Sequence, residues 1–207
     1  MHRCTSLALG LAAGFVRAGA ASGAALVDTG AGRTDPVGAL AVYHNGVESD
    51  RQFLAGRFTV GAAFEIESVE AWINVNGEGG LTWTLYAGSN PPTLGAGIDS
   101  ATELVAVQTT GWLASNAVSG TYPAGTYWLA LEATPGFSAT MPGEAPSPLS
   151  AYAFASTTDS YADLGTTNDN YHLGFRIHGE LVPEPAAATT TLLLLAGLAA
   201  RRRTRRA

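Results

Sequence analysis

The sequence predicts an all-β body, an antiparallel β-sandwich or jelly roll of about eight or nine strands over residues 26–181. Three observations predict it. Apolar residues in this stretch recur with period two, as in Leu81, Trp83 and Leu85 alternating with Thr82, Thr84 and Tyr86. Turn chemistry separates these runs at Asn45-Gly46, Asn76-Gly77, Gly79-Gly80, Pro91-Pro92, Pro135-Gly136 and Pro142-Gly143. No stretch between them keeps an amphipathic helical pattern for three turns, so nothing supplies the crossovers that a parallel sheet requires.

Taken in order, the strand candidates are Leu40 to Tyr43, then Phe53 to Phe64 broken near Gly56 or Gly61. Next come the runs carrying Val69, Ala71 and Ile73 and then Leu81, Trp83 and Leu85, followed by Leu104 to Thr109. Tyr127, Leu129 and Leu131 mark another, Ala151 to Ala155 another, and Leu173, Phe175 and Ile177 the last. Pro135 to Pro148 reads as a Pro/Gly-rich loop.

Charge divides the 207 residues into three parts. Residues 26–182 hold four arginines against sixteen carboxylates, a net charge of -12, between two basic ends. Such a body repels phosphate backbones and argues against nucleic-acid binding. The chain contains no lysine, which excludes Schiff-base chemistry, P-loop phosphate binding and Ser-Lys dyads.

Both ends read as addresses. His2-Arg3, an apolar run from Leu7 to Val16 and small residues through Ala25 have the n-, h- and c-regions of a secretory signal helix over residues 1–25, with cleavage after Ala24 or Ala25. The apolar run, interrupted by Arg17, is too short to span a hydrocarbon core of about 30 Å. Cys4 precedes the run, so this is no lipoprotein signal, and cleavage removes the only cysteine. The mature chain then has no disulfide, thiolate nucleophile or cysteine-ligated metal.

At the other end, residues 182–207 read Val182-Pro183-Glu184-Pro185, then an uncharged apolar segment from Ala186 to Ala200, then arginines from Arg201 to Arg206 interrupted by Thr204. The prolines end the preceding fold, and the segment forms a short apolar helix of roughly 22 Å. That length suits transient insertion by residues 186–200 in the inner membrane, with the arginines cytoplasmic and the body outside.

This order of Pro-Glu-Pro, short apolar helix and arginine cluster resembles the PEP-CTERM sorting signal of Gram-negative bacteria. The resemblance implies that signal peptidase and a membrane-embedded exosortase act on the chain during export. It makes Pro183, Glu184 and Pro185 recognition residues and sends the protein to the cell surface or the extracellular polysaccharide matrix. Thr189 to Thr191 depart from the usual apolar start of that helix. The entry Pro123-Ala124-Gly125-Thr126-Tyr127-Trp128 and the closing run Phe175-Arg176-Ile177-His178-Gly179 loosely resemble bodies that carry this signal.

Within the body, catalytic signatures are scarce. There is no Gly-x-Ser-x-Gly, and besides His2 the histidines are His44, His172 and His178. His172 and His178, read as lying on the last strand, would stand ~20 Å apart, too far to share a metal. Glu65 and Glu67 share one side of a strand about 7 Å apart, a spacing suited to glycoside hydrolysis but also to an ordinary solvent-facing strand.

Asp159, Asp163, Asn168, Asp169 and Asn170 form an oxygen-rich stretch, and a bound calcium would engage Asp163 and Asp169. The spacing is not that of an EF-hand and lacks its glycine, which favours a solvated acidic loop over a calcium site. Trp72 and Trp128 lie out of phase with the aliphatics of their strands, so either would serve as a ligand platform for a sugar unless loops cover it. The sequence therefore predicts a non-enzymatic surface protein with a structural or adhesive role and no required cofactor. A carbohydrate-binding module and, behind it, a secreted hydrolase are the alternatives.

Overall fold

The computed structural model describes residues 25–116 and 118–183. They form β1 (Ala25–Asp28), β2 (Leu40–His44), β3 (Arg51–Val60), β4 (Phe64–Gly77), β5 (Gly79–Ala87), β6 (Asp99–Val105) and β7 (Gln108–Ser115). Then follow β8 (Gly120–Tyr122), β9 (Gly125–Ala133), β10 (Ser138–Met141), β11 (Ala151–Ala155), β12 (Ala162–Asp163), a 3-10 turn at Asp169–Tyr171 and β13 (Phe175–Leu181). The fold is all-β, and every strand pairing is antiparallel. The expected C-terminal apolar helix over 186–200 lies outside the described residues, and so does the expected signal helix over 1–25 except for Ala25, which the structure places at the start of β1. Among the described residues no helix is long and apolar enough to cross a membrane.

The strands make one curled, sandwich-like sheet in the order β1-β13-β4-β10-β2-β3-β9-β5-β6. On its other edge β4 pairs with β7 and β8, and β11 extends β3 toward β12. β3 joins the two halves: its first residues pair with β2, and the rest with β9 and β11. The chain changes halves again at Glu78, since β4 and β5 are consecutive yet share no ladder.

Alternation builds the core between the halves. Val69, Ala71 and Ile73 of β4, Leu81, Trp83 and Leu85 of β5, and Tyr127, Leu129 and Leu131 of β9 are all buried. Phe64 of β4 packs edge-on to Tyr127 of β9 at 5.3 Å between ring centroids. Full burial of each valine, leucine, isoleucine or phenylalanine among them stabilises the fold by roughly 1.5–3 kcal/mol.

Among the described residues thirteen strands replace the eight or nine expected. β1, β8, β10 and β12 have only two to four residues, too few for a period to show. β10 lies inside the stretch read as a Pro/Gly loop, where Ser138 to Met141 pair with β2 and β4. The stretch Leu104 to Thr109 is not one strand but the turn from β6 into β7. The break between β3 and β4 falls at 61–63 and not at Gly56, which stays in register opposite Leu129 and Tyr152. A Cβ at Gly56 would stand 2.6 Å from a Leu149 methyl and 3.0 Å from the Phe175 ring, so β3 and β13 approach closely there.

Candidate functional site

On the outward face of the first half, β4 after Glu67 points Glu70, Trp72 and Asn74 away from the core, while Val69, Ala71 and Ile73 point in. Trp72 stands opposite Trp112 of β7, and the two half-buried indoles meet edge to face, with centroids 5.4 Å apart and planes at 65°. The Trp72 ring N–H donates to the Arg33 carbonyl at 2.7 Å, which ties the ring to the segment after β1. Gly174 lies against the Trp72 Cβ and leaves room for it.

From β13, opposite Glu70, Arg176 reaches across β4 and lays its guanidinium 3.9 Å from the Trp112 ring centroid. Its Nε donates to Asp28 at 3.0 Å and an Nη to Glu70 at 3.4 Å. Burial raises the Asp28 pKa, but the Gly30 amide and the Arg176 guanidinium outweigh it and hold the carboxyl below its ordinary value. His178, also on β13, places its Nε2 3.5 Å from Glu70. The face thus gathers two indoles, two carboxylates, a guanidinium and an imidazole.

Trp128 does not join it. It lies on β9 between Arg57 of β3 and Tyr86 of β5, with the Arg57 guanidinium 5.6 Å over its ring, and is 1% exposed. Burial leaves Trp128 no face for a ligand. Glu65 and Glu67 are both exposed on the outward side of β4. His172 is not on the last strand, because the 3-10 turn ends there and β13 begins only at Phe175. Its Nε2 lies 2.9 Å from the Thr166 carbonyl and its Nδ1 3.6 Å from Asp169. His44 accepts the Gly46 amide on Nδ1.

The oxygen-rich stretch is divided among local partners. Asp163 accepts the Gly165 amide, Asp159 pairs with Arg51, and Asn168 caps the 3-10 turn by accepting the Asn170 amide. Among the described residues no three His, Cys, Asp or Glu side chains are grouped to hold a metal. A cavity of ≈ 380 Å³ lined by Glu144, Pro146, Asp169 and His172 lies beside this turn. Pro183, exposed, directly follows Val182, whose amide donates to Ala63; Glu184 and Pro185 lie outside the described residues.

Sequence reasoning missed two features. Trp112 follows Thr109, Thr110 and Gly111 and precedes Leu113, so no alternation marks it. Glu132 of β9 accepts hydrogen bonds from Tyr86 at 2.5 Å, Tyr161 at 3.0 Å and Thr84 at 3.0 Å. These donors come from β5 and from the segment after β11, and local sequence carries no sign of such a convergence. No protein-family model matches this chain, and no curated protein matches it.

Proposed function

We propose that this chain is an exported protein, sorted by an exosortase to the cell surface or the extracellular polysaccharide matrix, where its β-sandwich body has a structural or adhesive role and no catalytic one. The observation that carries this is the run Pro183-Glu184-Pro185, apolar segment and arginine cluster beginning two residues after β13 ends at Leu181. Signal peptidase and the exosortase are the chain's partners in export, and nucleic acid is not.

The carbohydrate-binding alternative gains support from Trp72, whose pairing with Trp112 makes an aromatic surface larger than one ring. Its other platform, Trp128, is withdrawn by burial. A hydrolase on Glu65 and Glu67 has less support, since both stand on an open strand face.

Mass spectrometry of the protein recovered outside the cell tests the sorting reading. The expected mass lacks residues 1–24 or 1–25 and the arginine cluster. Secreted protein that keeps Arg201 to Arg206 refutes it, as does unchanged surface delivery after Pro183, Glu184 and Pro185 are all replaced by alanine.

A further inference from the structure

We infer that the outward face bearing Trp72 and Trp112 is a glycan-binding surface whose ligand is a neutral polysaccharide, with Trp112 and Glu70 as its principal contacts. This rests on the adhesive reading of the body and names its partner.

The groups present match what a pyranose offers. A sugar ring has an apolar face of C–H groups, which packs on an indole, and a rim of hydroxyls that need acceptors and donors at once. Arg176 covers one face of Trp112, so the half-buried Trp72 indole and the part of the Trp112 ring that the guanidinium leaves uncovered supply the first. Glu70, with 20% of its side chain exposed, and Asp28, with 44%, supply acceptors. Arg176, at 29%, supplies a donor. Because Arg176 is held by Asp28, Glu70 and the Trp112 ring together, the polar rim is preorganised and loses little freedom on binding.

Charge selects the class. Arg176, which faces Glu70, is already shared between two carboxylates, and residues 26–182 as a whole carry -12. A uronate or sulfated polymer would meet uncompensated negative charge, whereas a neutral glycan brings hydroxyl donors to carboxylate acceptors. Among the described residues Arg33, the other arginine beside this face, is likewise engaged by Asp35 and Glu144, and His178 stands against Glu70.

The test is native affinity electrophoresis of the full chain in detergent, through gels holding a soluble β-1,4-glucan, a galactomannan, a dextran or alginate. Retardation by at least one neutral polymer and none by alginate is the expected result. Trp112→Ala should weaken retardation about tenfold or more, and Glu70→Gln, which keeps the shape of the side chain, should weaken it less. Tryptophan emission of the unaltered protein should shift on adding the retarding polymer, a readout that needs no variant. No retardation by any neutral polymer overturns the inference, and so does retardation by alginate or full retention of binding in a folded Trp112→Ala protein. Protein that reaches the surface but binds no glycan defeats this inference alone. Protein that binds glycan but keeps its arginine cluster defeats only the sorting reading.

Discussion

The Tyr86 hydroxyl donates to the Glu132 carboxylate at 2.5 Å, across adjacent strands β5 and β9, in a site where Tyr86 itself is only 2% exposed. Tyr161 and Thr84 donate to the same carboxylate, and Tyr161 belongs to a segment whose neighbours Asp159 and Ser160 pair with Leu94 and Thr93. One carboxylate therefore fastens the long connections 88–98 and 156–161 to the middle of the second half of the sheet. Glu132→Ala strands three buried hydroxyls and should destabilise the protein by about 2–4 kcal/mol, whereas Tyr86→Phe removes one charged hydrogen bond and should cost about 2 kcal/mol. Urea denaturation measures both. A cost below about 0.5 kcal/mol for Glu132→Ala would show that the cluster does not hold these segments.

The same tyrosines set the response to alkali. Burial raises the pKa of Tyr86, with the Glu132 bond adding to it; burial then the Glu132 charge raise Tyr161; burial then Asp99 raise Tyr122. Burial pushes Tyr152 up to about 12. Below the ordinary tyrosine value near 10 both folded and unfolded chains keep these protons, so stability is flat with respect to them. Above it the unfolded chain releases protons that the folded chain retains, and stability falls as pH rises until the folded pKa is passed. Tyr152 alone accounts for on the order of 2–3 kcal/mol. Chemical denaturation from about pH 8 to about 12 should show a flat region and then a steep decline, shallower in Tyr152→Phe. A profile still flat near pH 11 would contradict this environment for the tyrosines.

The four tryptophans divide into two classes. Trp83 and Trp128 are 0% and 1% exposed, and their ring nitrogens find no hydrogen-bond partner, whereas Trp72 and Trp112 lie half-buried on the outward face. Iodide should quench part of the emission and leave a blue-shifted remainder that resists it. Replacing Trp72 and Trp112 together by phenylalanine should remove the quenchable part and spare the rest. If Trp128→Phe removed it instead, the assignment of faces would be wrong.

What could be read in the sequence was whatever repeats locally. The alternation in β5 and β9 named Trp83, Leu85, Leu129 and Leu131 as core because each side chain's face follows from its own strand. Trp72 and Trp128 looked alike, both out of phase with their aliphatics, yet one is half-buried and the other sealed. The difference lies in what covers them: Arg57 and Tyr86, distant in sequence, flank Trp128, and only the strand order brings them there. Trp112 and the donors around Glu132 were hidden for the same reason. His172 was misplaced because a 3-10 turn and Gly174 interrupt a run that reads as continuous apolar alternation from Leu173.

Phe64 and Ile66 face inward, and so does Val69, a spacing of three where alternation requires two. β4 accommodates it where its pairing with β13 shifts register between His178 and Gly179, so that Glu67 is the extra residue of a bulge. This slip moves Glu70 and Trp72, not Val69 and Ala71, to the outward face, so the candidate site depends on it. Gly179 faces the bulge so closely that a Cβ there would collide with the Glu65 carbonyl and approach a Leu26 methyl at 3.1 Å. Gly179→Ala must therefore displace β13 from β4 and from the side chains of β1, and should destabilise the protein by about 3 kcal/mol or more. Thermal unfolding of Gly179→Ala beside Gly61→Ala, where a Cβ meets nothing within 4 Å, measures the difference. Equal melting temperatures for the two variants would show that the β4–β13 ladder is not bulged here, and the outward placement of Glu70 and Trp72 would fall with it.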